Sequence, residues 1–208
     1  MSTPPPIPLF DLGRVLFDID FDRCFESWSS ASGVAVTALR ERFAASDDLL
    51  AHERGELDCD AFFERLAASL GVDLDVDAMR SGWNAIFGPD LPGVHERIEQ
   101  LAALTPCHVL SNTNEAHARH FRVRYAPLLS HMTSVFTSHE LGLRKPDPEI
   151  FRTVVRHLDV DPARLHFFDD GAANVEAARA VGLESTLVAS PSDMPAELDA
   201  LIRAHAAV

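Results

Sequence analysis

The sequence predicts an α/β fold: a parallel five-stranded sheet, covered by helices on both faces and interrupted after its first strand by a block of helices. Three observations carry this. Five short apolar or β-branched runs, each followed by polar or turn residues, have the character of buried strands: Ile7 to Phe10, Cys107 to Leu110, Ser134 to Thr137, Leu165 to Phe168 and Ser185 to Val188. Amphipathic helical segments lie between the later runs, and alternating strands and helices build a parallel sheet. The interval from about Asp20 to Pro89, some seventy residues, holds no strand-like run and is too long to be a loop.

Taken in order, the first strand ends at Phe10-Asp11-Leu12-Gly13. In the interval that follows, Phe25, Trp28, Leu39, Phe43, Leu49 and Leu50 recur at helical spacings. Ala61 to Leu70 and Ala78 to Phe87 are amphipathic, with Asp58 or Asp60 and Asp75 or Asp77 as N-caps, since a carboxylate accepts from the free N–H groups of a first turn. Trp28, Trp83, Phe62 and Phe63 are expected in the core of this block. Gly88, Pro89, Pro92 and Gly93 mark a hinge back to the sheet. Helices are then expected at Gly93 to Leu104, Glu115 to Tyr125, Pro148 to Leu158, Asn174 to Val181 and Ala196 to Ala206. The organisation reads as residues 1–19 and 90–208 forming one unit around an inserted helical unit of residues 20–89.

Composition narrows the function. The 208 residues carry 18 basic and 32 acidic side chains, a formal charge of −14, and show no basic run of the kind that binds a polyphosphate backbone; a nucleic-acid partner is not expected. Seventeen of the basic residues are Arg and one is Lys, Lys145. Cys24, Cys59 and Cys107 are odd in number and widely spaced, which suits reduced thiols. Met1 to Pro8 is Pro-rich without a basic or apolar leader, and no stretch approaches the roughly 18 apolar residues of a membrane span. A cytoplasmic protein with no membrane partner is expected. The ten His residues show no HExxH or HxxxH spacing, so zinc is not expected.

In a parallel sheet, functional groups gather at the carboxyl edge. The predicted strand ends supply Asp11, then Ser111-Asn112-Thr113-Asn114, then Arg144-Lys145-Pro146, then Asp169-Asp170. Two carboxylates from different strands repel unless a cation lies between them, and oxygen-only ligands suit Mg2+. An ammonium beside Asp11 would keep it ionised, and Ser111 with Asn112 could donate to phosphoryl oxygens. A carboxylate nucleophile attacking phosphorus is one route to a covalent phosphoenzyme.

The order Asp11-Leu12-Gly13, Ser111-Asn112, Lys145-Pro146, Asp169-Asp170 resembles the four motifs of the haloacid dehalogenase-like superfamily, over about residues 8–190. Asp18-Ile19-Asp20-Phe21 and His52-Glu53-Arg54-Gly55-Glu56 are similar to the bacterial α-glucose-1-phosphate phosphatase subgroup. The resemblance implies a Rossmann-like sheet of strand order 3-2-1-4-5 with a helical cap. It implies Asp11 as nucleophile and metal ligand, the Gly13 carbonyl and Asp170 as further Mg2+ ligands, Ser111 and Asn112 as phosphoryl holders, and Lys145 as the group that orients Asp11. The implied reaction is Mg2+-dependent hydrolysis of a small phosphorylated metabolite. Phosphatases of the superfamily carry a second Asp two residues after the nucleophile as general acid and base, and this chain has Gly13 there. Asp18, Asp20, His52, Glu53 and Glu56, with Asp169, stand as auxiliary candidates. A 2-haloacid dehalogenase with Asp11 attacking carbon and a phosphate-binding protein without turnover are the alternatives.

Overall fold

The computed structural model describes residues 4–43 and 46–207; Met1 to Thr3 of the Pro-rich start lie outside the described residues. Five parallel strands form the sheet: β1 (Ile7–Phe10), β4 (His108–Ser111), β5 (Ser134–Thr137), β6 (Leu165–Asp169) and β7 (Glu184–Leu187), in the order β5-β4-β1-β6-β7. Counted along the chain, this is the expected order 3-2-1-4-5. The strands are short and apolar because both faces are covered. On one face α6 (Val94–Ala102), α7 (Glu115–Arg124), α8 (Ala126–Leu129) and α12 (Met194–Ala206) bury Ile98, Phe121, Leu128 and Leu198 against Phe10, Val109 and Phe168. On the other, α10 (Pro148–Leu158) and α11 (Ala172–Val181) bury Phe151, Val154 and Ala178 against Leu9, Leu110 and Phe167. A short α9 (Ser138–Leu141) follows β5.

Between the first two strands of this sheet come α1 (Phe21–Ser32), α2 (Val36–Arg42), α3 (Asp47–Glu53), α4 (Cys59–Leu70) and α5 (Val76–Asn84). The caps choose between the sequence candidates: Asp58 accepts from Asp60 N and Ala61 N, and Asp75 accepts from Ala78 N. Trp28, Phe62, Phe63 and Trp83 lie in one buried cluster, to which α7 contributes Ala116, so the block packs directly on the sheet unit. α1 and α5 approach at Gly82, where a Cβ would meet the Trp28 indole and a glycine leaves room, and Trp28 Nε1 donates to Met79 O at 3.0 Å.

One expectation is corrected. The interval is not helical throughout: α5 stops at Asn84, and β3 (Phe87–Asp90) pairs antiparallel with β2 (Phe17–Ile19), Phe17 opposite Asp90 and Ile19 opposite Phe87. Three- and four-residue strands, one containing Gly88-Pro89, are too short for an alternation signal, and Pro is tolerated because a two-stranded ribbon has open edges. The predicted hinge is therefore a ribbon joining both chain crossings. It is anchored to α7, where Tyr125 Oη and Arg124 Nη2 donate to Gly88 O at 2.7 and 2.8 Å. Among the described residues, no helix is long and apolar enough to cross a membrane.

Candidate active site

The carboxyl edge of the sheet carries the site. The ladder between β1 and β6 extends one step past Phe10, with Asp11 N donating to Phe168 O at 2.8 Å, which fixes Asp11 at the strand end. Asp169 closes the neighbouring strand at the same height. Lys145, 1% exposed, lies between them: its Nζ donates to Asp11 Oδ1 at 2.8 Å, Asp169 Oδ2 at 2.6 Å and Leu110 O at 3.0 Å. Three acceptors for three N–H bonds is a complete set for an ammonium. Burial opposes the Lys145 charge, but Asp11 and Asp169 more than offset it and push its pKa up. Burial raises the Asp11 carboxyl to about 6, with Asp169 adding to the rise and Lys145 pulling against it.

The segment bearing Lys145 is held by a reciprocal amide pair. Lys145 N donates to Asn112 Oδ1 and Asn112 Nδ2 to Lys145 O, both at 2.8 Å. The Asn112 side chain is thus committed to the backbone of Lys145. Ser111 Oγ makes one long contact, 3.4 Å to Asn112 O. Asn114 caps α7, accepting from His117 N at 3.0 Å. His117 is buried with both ring nitrogens engaged: Nε2 donates to Trp83 O at 3.0 Å, and Nδ1 accepts from Asn114 Nδ2 at 3.2 Å. Burial lowers its pKa to about 3, so it stays neutral.

Carboxylate oxygens of Asp11, Asp169 and Asp170 lie within 4.8 Å of one another. Asp169 is spent, since Oδ1 accepts from Gly171 N at 2.7 Å and Asn174 Nδ2 at 2.9 Å while Oδ2 takes Lys145. Asp11 and Asp170 remain. Asp170 faces Arg14, with Nε to Oδ2 at 3.2 Å; burial and then Asp169 raise its pKa, while Arg14 and Lys145 lower it. Arg14 holds φ at 61°, a left-handed conformation that costs a non-glycine residue about 1 kcal/mol or more. An all-oxygen donor set in which carboxylates crowd together is chemically suited to a hard divalent cation.

The cavity over these groups has a volume of about 190 Å3, and its lining includes Asp11, Gly13, Ser111, Asn112, Glu53 and Asp170. The aromatic side chains of Phe17, Phe21, Trp83, Phe87 and Phe121 also line it. Of the auxiliary candidates, the structure brings Glu53 to this cavity and leaves the others outside its lining. Asp18 pairs with Arg23 at 2.5 Å, and Asp20 caps α1. The buried His52 ring stacks on Phe62 and contacts Leu57 O at 3.2 Å; Glu56 pairs with Arg54. Gly13 is at the cavity, and a Cβ there would lie 2.5 Å from Ile19 Cδ1. A side chain at position 13 would have to displace the tip of Ile19.

Sequence reasoning gave no role to Arg14, Arg144, His117 or Asn174. Arg144 was the most accessible of these, as the neighbour of Lys145 in one motif: its Nε donates to Glu53 Oε2 at 2.8 Å. Asn174 lies in the first turn of α11, and its side-chain contact with Asp169 left no mark in the sequence.

Residues 9–182 match the haloacid dehalogenase-like hydrolase family. The chain belongs to this family. Among curated relatives, D-ribitol-5-phosphate phosphatase of Bacteroides thetaiotaomicron is 26% identical over 200 residues, 93% of this chain and 97% of the relative. A haloacid dehalogenase family enzyme of the same organism, solved as an aspartate-to-alanine variant with magnesium and inorganic phosphate, superposes with a TM-score of 0.80 at 23% identity, covering 88% of this chain and 93% of that one. L-2-haloacid dehalogenase of Xanthobacter autotrophicus shares the fold at a TM-score of 0.66 and 20% identity, covering 89% and 78%.

Proposed function

We propose that this hydrolase is a Mg2+-dependent phosphatase of small phosphomonoesters, sugar and polyol phosphates foremost and glucose 1-phosphate among them, acting through an aspartyl-phosphate on Asp11. The observation that carries the reading is the buried Lys145 between Asp11 and Asp169, with Asp170 completing the acidic group. The near full-length likeness to a phosphatase of a five-carbon polyol phosphate, and a same-fold enzyme that holds magnesium and phosphate, support it. Attack of Asp11 on carbon needs no second acidic ligand, so the Asp170 carboxylate favours phosphorus over the dehalogenase alternative.

In this reading Asp11 attacks phosphorus, and the bond to the ester oxygen breaks. Lys145 keeps Asp11 ionised against its burial and fixes the angle of attack. The Ser111 hydroxyl, which lacks a short partner, donates to a phosphoryl oxygen, and Asn112 contributes from its backbone while its side chain holds the Lys145 segment. Asp11, Asp170 and the Gly13 carbonyl would hold Mg2+, which supplies charge neutralisation for the transferring phosphoryl group. A cavity of about 190 Å3 is below the roughly 300–1,000 Å3 of drug-sized ligand sites, which selects small substrates. Residues 20–89 act as the cap that closes this cavity over the unit of residues 1–19 and 90–208.

The test is a panel of phosphomonoesters including glucose 1-phosphate and ribitol 5-phosphate, with Mg2+ or with EDTA, for the parent enzyme and Asp11→Asn. Release that requires Mg2+ and vanishes in Asp11→Asn is expected. Release surviving either removal refutes the reading, as does binding of phosphate without turnover. Halide release from 2-chloropropionate in EDTA would place the chain with the dehalogenases instead.

A further inference from the structure

Gly13 leaves the site without the carboxylate that handles protons in related phosphatases, and Ile19 fills its space. Hydrolysis of an aspartyl-phosphate still needs a base for water, and an ester oxygen needs a proton as it leaves. Four titratable side chains line the cavity: Asp11, Asp170, His117 and Glu53. Asp11 is the nucleophile in the reading above, on which this inference rests. Asp170 belongs to the metal-binding group. His117 has both nitrogens committed and is held neutral by burial. That leaves Glu53, which enters from the helical cap across the cavity.

We propose that Glu53 is the catalytic base of this enzyme, taking the proton of the water that hydrolyses the phosphoenzyme and delivering it to the leaving oxygen of the next substrate. The geometry supports this in two ways. First, Glu53 is anchored without being exhausted: Arg144 Nε holds Oε2 at 2.8 Å, while Oε1 has no partner among the described residues. Its side chain is 18% exposed, so it is shielded while remaining on the cavity lining. Second, consecutive residues fix the two carboxylates. Arg144 holds Glu53, Lys145 holds Asp11, and the Asn112 amide pair fixes the backbone that carries both. Base and nucleophile are therefore positioned from one short segment.

The steps balance. In the first half-reaction the Asp11 oxygen bonds to phosphorus, the ester bond breaks, and the proton on Glu53 passes to the departing oxygen. In the second, water oxygen bonds to phosphorus, the Asp11 oxygen departs as carboxylate, and Glu53 takes the water proton. Arg144 stabilises the carboxylate left after the first transfer. One phosphomonoester and one water give one alcohol and one phosphate.

p-Nitrophenyl phosphate separates the two halves, because p-nitrophenolate leaves without a proton. With this substrate and Mg2+, Glu53→Gln is expected to release one equivalent of p-nitrophenolate per site in a burst, then to turn over at least about 100-fold more slowly than the parent, with phosphoenzyme recoverable after acid quench. A contact that only binds substrate would raise KM and leave kcat unchanged. Turnover within about threefold of the parent, or a loss confined to KM, overturns the proposal. If Glu53→Gln does not fold, Glu53→Ala decides: slow turnover restored by added formate supports the assignment, and undiminished turnover or a loss that formate leaves untouched refutes it. A parent enzyme that releases no phosphate from any ester refutes the phosphatase reading itself, a result distinct from all of these.

Discussion

Lys145→Arg is the most discriminating substitution because it keeps the charge and changes only its shape. The lysine ammonium satisfies Asp11, Asp169 and the Leu110 carbonyl from a single nitrogen at 2.6–3.0 Å, in a position 1% exposed. A guanidinium spreads its donors over a plane and is larger, so it cannot present three bonds from one point without displacing a strand end. Overpacking a filled site costs about 1–3 kcal/mol, and losing one charge-assisted hydrogen bond about 1.5–3 kcal/mol. Together these predict a stability loss of about 2.5–6 kcal/mol, a range that includes the cost of breaking a buried ion pair. The same misplacement acts on the proposed nucleophile: Asp11 is already raised to about 6 with Lys145 in place, and a poorer cation lets it rise further. Turnover is expected to fall by roughly two to three orders of magnitude, since about 1.4 kcal/mol is tenfold in rate. Urea denaturation gives the first quantity and phosphate release the second, both at saturating Mg2+. A Lys145→Arg enzyme with parent-like turnover and stability would show that the pocket reads charge alone, and the geometric argument would fail.

Two further predictions follow from the cavity. Gly13→Asp alone is expected to lower stability by about 1–3 kcal/mol without raising turnover, because the new side chain meets Ile19 Cδ1. Combined with Ile19→Ala, it should accelerate hydrolysis of alkyl phosphates, and a double variant no faster than the single one would count against Ile19 as the obstacle. Burial depresses His117 from an ordinary value of 6.5 to about 3, so the unfolded chain binds the extra proton between those values. Its stabilising share is complete above pH 6.5 and is lost as pH falls toward 3. In urea melts over this window, His117→Gln should flatten the pH dependence by up to about 1.4 kcal/mol per pH unit, and an unchanged slope would contradict a buried neutral ring.

Much of the site was legible because strand ends leave local marks. Asp11, Ser111 and the Asp169-Asp170 pair stand at the ends of apolar runs, so their convergence needs only the strand order, whereas Lys145 lies past α9 and is marked instead as the lone lysine of the chain. The β2–β3 ribbon left no such mark: Phe17-Asp18-Ile19 is one alternation long, and Phe87 read as the last turn of a helix. Glu53 could not be separated from His52 and Glu56 for a different reason. His52 and Glu53 are neighbours on the last turn of α3 and point in different directions, Glu56 lies past its end, and only the docking of α3 chooses among them. That docking depends on Gly55, whose φ is 70° and whose missing Cβ makes room for the His139 carbonyl. Arg14 was illegible because its role depends on a backbone conformation that an arginine does not advertise.

The ribbon has a consequence for how substrate enters. Phe17, Ile19 and Phe87 belong to its two strands and also line the cavity, while Gly88 is tied to α7 through Arg124 and Tyr125. Because the two chain crossings are paired with each other, a displacement of the helical block of residues 20–89 would carry both crossings together. Such a displacement would move part of the cavity wall itself. Substrate entry that required it would therefore reshape the binding surface, and a substrate matched to the wall as it stands would favour the arrangement in which both crossings are in place.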